Sequence, residues 1–157
     1  NIDKLKTDIT KERLLTINPN CNIITHNIFL DNNTINILDN YQIDYIIDAC
    51  DTVNTKKLLI DYSIDNDIKL ISSMGTANKL DATKLVITTL DKTNTDPLAK
   101  KIRRELGKEK EIMNDVVVVT STEKAINNTM LGSTAYVPAV AGLYITNHII
   151  NDVCNLQ

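Results

Sequence analysis

The sequence predicts an α/β fold built on a mostly parallel sheet, and three observations predict it. Short runs of apolar and β-branched residues recur at 45–50, 68–73, 84–89 and 116–120, the mark of strands. Helical patterns stand between them, carried by Val53, Leu58, Leu59 and Tyr62, and then by Leu98, Ile102 and Leu106. Strands that alternate with helices pack as a layered, parallel-rich sheet. With 157 residues, the chain reads as one domain over 1–157, long enough to bury a substantial core.

Taken in order, Leu5, Ile9 and Ile17 recur at multiples of four, so 4–16 reads as a helix. Ile17-Asn18-Pro19 ends it, because the residue before proline avoids helical geometry. Residues 22–29 alternate enough to predict a strand, and 33–40 a short polar helix. The run 45–50 is nearly all apolar, as in strands buried on both faces of a parallel sheet. A helix follows at once, to about residue 67. The strand over 68–73 is closed by Met74-Gly75. Asp96-Pro97 opens a helix, with a capping carboxylate and proline at the first helical position. A largely apolar helix over 138–154 finishes the chain. The tight junction at Ile126-Asn127-Asn128-Thr129 predicts an omitted loop there, and the missing glycine loop described below predicts a further segment before Asn1.

Composition narrows the functional classes. Hydrophobic residues make up 43% and charged residues 24%, ordinary values for a globular protein. No apolar run reaches the length of a membrane span, and no signal-peptide pattern opens the sequence. The chain therefore reads as cytoplasmic. Cys21, Cys50 and Cys154 form no Cys-x-x-Cys pair, which excludes a four-cysteine zinc site and argues against a disulfide framework. His26 and His148 have no metal-ligand spacing. The net charge is −3, yet the window 92–110 holds seven basic residues against three acidic ones. One basic patch on an acidic chain points to a local anionic partner.

Asp51 lies where a strand gives way to a helix, and in open α/β sheets ligands bind at that carboxyl edge. A carboxylate there can hold magnesium on a nucleotide, or Asp51 or Thr52 can simply cap the helix. Lys56 stands one turn further on, either reaching a phosphate or forming part of a solvated helix face. Asp48, inside the strand run, needs a hydrogen-bonding partner if it is buried. Cys50 reads as a small buried residue. The four glycines are Gly75, Gly107, Gly132 and Gly142, and none makes a G-x-G-x-x-G phosphate loop.

Several motifs carry a resemblance. The run SMGTANKLDATK at 73–84 leads on to DKTNTDPLAKKIRREL at 91–106. Shorter motifs are Lys4-Leu5-Lys6-Thr7-Asp8, Ile17-Asn18-Pro19-Asn20-Cys21, Asp48-Ala49-Cys50-Asp51, Ser121-Thr122-Glu123-Lys124 and the stretch from Gly132 to Pro138. Together they resemble the tRNA threonylcarbamoyladenosine dehydratases, a branch of the ThiF/MoeB/HesA, ubiquitin-activating-type family. The Asp-Pro-Leu-Ala run with its basic tail is the part most specific to that branch.

The resemblance implies a Rossmann-like three-layer sandwich that adenylates a carboxylate with ATP and Mg2+. It puts Lys6 in the place of the lysine that reaches the phosphates, and Asp51 in that of the aspartate that organises magnesium and triphosphate. It implies tRNA as partner, with Lys100, Lys101, Arg103 and Arg104 as the basic contact face. It also implies a homodimer and a cysteine-desulfurase or sulfur-relay partner. The family's glycine loop, ribose-binding acid and upstream arginines match nothing here, so a polypeptide starting at Asn1 is expected to bind ATP poorly. Two other readings stand beside the dehydratase. One is an adenylyltransferase that activates the C-terminus of a ubiquitin-like sulfur carrier; the other is a truncated, non-catalytic binding module.

Overall fold

A computed structural model describes residues 3–107, 110–126 and 130–155. The chain divides into two compact units, Asn1–Ile37 and Leu38–Gln157. The first unit is built around helix α1, Lys6–Ile17. Beyond it the chain is irregular and held by short-range bonds. Asn18 Oδ1 accepts from the Asn20 N–H at 3.1 Å, and Asp31 Oδ1 from the Asn33 N–H at 2.8 Å. The strand expected over 22–29 does not form. Alternation of Ile24 and Ile28 favours an extended chain, but a strand also needs a neighbour to complete its ladder, and the only sheet among the described residues has four strands, all from the second unit. The helix expected over 33–40 is a 3-10 turn, Ile35–Asn40.

The second unit contains the sheet. Its elements are β1 (Tyr45–Asp48), α2 (Val53–Asp65), β2 (Lys69–Ser73), β3 (Leu85–Thr89), α3 (Pro97–Leu106), α4 (Lys110–Asp115), β4 (Val117–Ser121) and α5 (Tyr136–Val153). The strand order is β1-β2-β4-β3. β1 pairs β2 and β2 pairs β4 in parallel, while β3 runs antiparallel to β4 at the far edge. The mostly parallel α/β sheet expected from the alternation is thus present. Helix α4 was not legible beforehand; its six residues are too few to show a 3.6-residue period. The omitted loop expected near Asn127 falls on 127–129, outside the described residues.

Side chains alternate across each strand, and the alternation assigns the layers. Ile71, Leu85 and Val119 face α5, where they pack on Val137, Ala141 and Ile145. Their neighbours Leu70, Ser72 and Val118 are also buried and face the side covered by α2, which contacts β1 and β2 and packs on α3. Each apolar side chain so enclosed contributes about 1.5–3 kcal/mol. β1 departs from the expectation of a strand buried on both faces. It is an edge strand, and Ile47 is 56% exposed.

Candidate functional site

The parallel strands deliver their carboxyl ends to one edge. There the turn after β1 (Ala49, Cys50, Asp51) and the turn after β2 (Ser73 to Ala77) line a cleft of about 600 Å³. Leu98 of α3, Leu131, Ser133, and Pro138, Gly142 and Ile145 of α5 complete its walls. A smaller chamber of about 200 Å³ shares Gly75, Ala77, Leu98 and Leu131 with it, and is also lined by Lys79 and Asp96.

Asp51 is exposed and makes no hydrogen bond or ion pair among the described residues. The capping role weighed for Asp51 or Thr52 is not realised. Thr52 occupies the N-cap position of α2 and forms no side-chain cap bond. An exposed carboxylate that lines the cleft suits a hard cation. Among the described residues no three His, Cys, Asp or Glu converge. A single carboxylate is the kind of protein ligand that magnesium takes when phosphate oxygens and water fill its other positions. Lys6 is the exposed first residue of α1, in the first unit.

Lys56 departs from both readings given to it. It is fully buried, and its ammonium is saturated by Asp48 Oδ2 at 2.8 Å, Ser72 Oγ at 3.2 Å and the Ser73 carbonyl at 2.7 Å. A lysine has three N–H donors, so none is left for a phosphate. Lys56 instead ties α2 to the ends of β1 and β2. The Ser72 hydroxyl also donates to Asp48 Oδ2 at 2.5 Å, and the Cys50 N–H to Asp48 Oδ1 at 3.1 Å. Asp48 is thus the partnered buried acid, and it anchors the turn that presents Asp51. The Cys50 thiol donates to Asp48 Oδ1 at 3.0 Å. Burial, the hydrogen bond to Asp48 and its negative charge push the thiol up to about 11. Cys50 is therefore held as the neutral thiol at neutral pH, the less reactive form.

A second buried ion pair escaped the sequence reading. Lys79 Nζ lies 2.9 Å from Asp96 Oδ2, both groups being almost wholly enclosed. Asp96 Oδ1 meanwhile caps α3, accepting from the Leu98 and Ala99 N–H groups at 2.8 and 3.0 Å. The cap was legible from Asp96-Pro97, but the lysine partner, 17 residues away, left no periodic signal. α3 buries Ala99, Ile102 and Leu106, with Leu98 half-buried at the cleft in place of the buried position expected for it. Lys100, Lys101 and Arg104 are exposed on its outer face. Arg103 is not free for phosphate in the same way: its guanidinium donates to the Leu90 carbonyl at 3.2 Å and to the Thr93 hydroxyl.

The ThiF family model matches residues 1–156. The chain belongs to the ThiF family. Its ThiF-family relatives include the tRNA threonylcarbamoyladenosine dehydratase of Bacillus subtilis (strain 168), 37% identical over 94% of this chain and 65% of that protein. The enzyme of the same name from Haemophilus influenzae is 42% identical over 69% of this chain and 41% of that protein. The structure is similar to that of E. coli tRNA N6-threonylcarbamoyladenosine dehydratase, TcdA, in complex with AMP. The TM-score is 0.91 at 28% identity, over 99% of this chain and 66% of that one. The same E. coli enzyme in complex with ATP gives 0.86 at 27% identity, over 100% of this chain and 68% of that one. This ThiF-family chain therefore spans just under two thirds of the Bacillus relative and of the AMP complex.

Proposed function

We propose that this chain carries the carboxyl-edge cleft of an ATP-dependent dehydratase that cyclises the threonylcarbamoyl group on a tRNA adenosine. The observation that carries the reading is the open Asp51 carboxylate, held at the rim of the cleft by the Asp48–Lys56–Ser72 network. Its similarity to enzymes named for that dehydration supports the choice of substrate.

In this reading the threonyl carboxylate oxygen attacks the α-phosphorus of ATP, and pyrophosphate leaves. A nucleophile within the same side chain then attacks the acyl carbon, closes the ring and expels AMP, so that the nucleoside loses one water overall. Asp51 would hold the magnesium ion, which would supply positive charge to neutralise the triphosphate. Lys100, Lys101 and Arg104 meet tRNA phosphates. Ring closure needs no protein thiol, in keeping with the protonated Cys50 beside the cleft. The proposal extends to a homodimer, supported by the exposed apolar row Tyr136, Leu143, Ile150 and Val153 on α5. Sedimentation of a monomer alone would remove the dimer from it.

The test is Asp51→Asn in the full-length protein, which keeps shape and removes charge. ATP-dependent loss of water from the modified adenosine, followed by mass spectrometry, should slow by about 100-fold or more, with the melting temperature unchanged. Wild-type turnover in this variant would sink the reading.

A further inference from the structure

Asn78, in the loop between β2 and β3, has a left-handed backbone with φ +57°, a conformation that asparagine adopts more readily than most residues. This turns both its backbone and its side chain onto the chain that leads into α5. The Asn78 N–H donates to the Gly132 carbonyl at 2.8 Å. The Gly132 N–H returns a bond to Asn78 Oδ1 at 2.8 Å. The Ile126 N–H donates to the Asn78 carbonyl, also at 2.8 Å. One residue therefore fastens positions 126 and 132 at once. Next to it, the Glu123 carboxylate accepts from the Leu80 and Asp81 N–H groups, and the Tyr136 hydroxyl donates to the Leu80 carbonyl.

The clip matters because of what adjoins it. Leu131 lines both the cleft and the smaller chamber, and Ser133 lines the cleft. Leu131 is 85% exposed, so packing does not hold it, and fixing its backbone falls to hydrogen bonds one residue away. We propose that Asn78 is a positioning residue. Its reciprocal bonds to Gly132 hold Leu131 and Ser133 as a preformed wall of the cleft, so that the acyl substrate meets a shaped site. What the cleft binds rests on the carboxylate-activation reading; the clip itself does not.

Two variants separate the side chain from the backbone. Asn78→Gly keeps the left-handed conformation and loses the Oδ1 acceptor. Asn78→Asp keeps an acceptor oxygen in the same place. Amide exchange at Gly132 and steady-state kinetics with threonylcarbamoylated tRNA are the two readouts. In Asn78→Gly, exchange at Gly132 should accelerate by about 10-fold, the loss of one hydrogen bond. KM for the tRNA should rise by about 5-fold at nearly constant kcat, because apparent affinity scales with the fraction of molecules whose site is formed. Asn78→Asp should restore both. A merely structural role would lower kcat through fewer folded molecules and leave KM alone, and that result overturns the proposal. So does unchanged exchange at Gly132 in Asn78→Gly. If the full-length wild-type protein shows no cyclisation, the functional reading fails while the exchange measurement still decides the clip.

Discussion

Cys50 sits beside the open Asp51 carboxylate, yet the two residues have opposite chemical availability. Cys50 is half-buried against Asp48, and as an acid whose neutral form is favoured by the fold it is raised from 9.0 to about 11. At pH 8 only about one molecule in a thousand then carries a Cys50 thiolate. Cys21 and Cys154 are exposed. Iodoacetamide at pH 8 should therefore label Cys21 and Cys154 while Cys50 stays largely unmodified, with its labelling rising only as the pH approaches 11. Peptide mass spectrometry reads the order directly, and equal labelling of all three at pH 8 would contradict it. The linkage has a definite sign. The folded state keeps the Cys50 proton that the unfolded chain has given up, so stability contributed by this group falls as pH climbs from about 9 to about 11.

Helix α3 is organised from its first turn. Asp96 caps it, Pro97 occupies its first position, and Ile102 and Leu106 bury its inner face. Its outer face is left to charge, and the two kinds of basic residue part company there. Arg103 is bonded to the Leu90 carbonyl and the Thr93 hydroxyl, whereas Lys101 and Arg104 face water. The ion pair of Arg104 with Glu105 is long, at 3.5 Å, and mostly exposed, so it holds Arg104 only weakly. Lys101→Glu combined with Arg104→Glu should shift thermal stability by no more than about 0.5 kcal/mol. If the proposed tRNA contact is made there, it should weaken tRNA binding, with the log–log salt slope flattened by roughly 0.7–0.9 for each phosphate no longer neutralised. A tRNA titration at several salt concentrations measures this, and superimposable curves would leave the outer face of α3 as solvated charge.

At the scale of the whole molecule, the carboxyl end of β2 and the start of α3 approach each other closely at one point. A Cβ added to Gly75 would stand 3.2 Å from Asp96 Oδ2 and 3.4 Å from Oδ1. The carboxylate cannot swing away cheaply, since one oxygen pairs with Lys79 and the other caps α3. Gly75 is thus needed for close approach, without any positive φ. Gly75→Ala should lower unfolding free energy by about 1–3 kcal/mol, the usual cost of overpacking. Urea denaturation checks it, and a variant as stable as wild type would mean that the loop after β2 relaxes freely.

The alternation of strand and helix patterns, the Asp96-Pro97 helix start and the placement of Asp51 after a strand were all legible in the sequence by itself. Each depends on neighbouring residues along the chain, where backbone geometry imposes a fixed period or a fixed cap. Ladder partners are not legible in a sequence, and so 22–29 reads as a strand although no neighbour among the described residues completes it, while Ile47 reads as enclosed although β1 lies at an edge of the sheet. By type and position alone Lys56 reads as a phosphate ligand or a wet residue. Only the fold reveals that Asp48, eight residues before it, and Ser72, sixteen after it, converge on its ammonium. The pairing of Lys79 with Asp96 and the clip of Asn78 on Gly132 belong to the same class. They join positions 17 and 54 residues apart, where sequence spacing carries no geometric information. The sequence by itself determined that Asp51 stands at the carboxyl edge of the sheet, where the cleft lies; tertiary structure alone decided which charges there are spent inside the protein and which face water, because that depends on residues far apart in the chain.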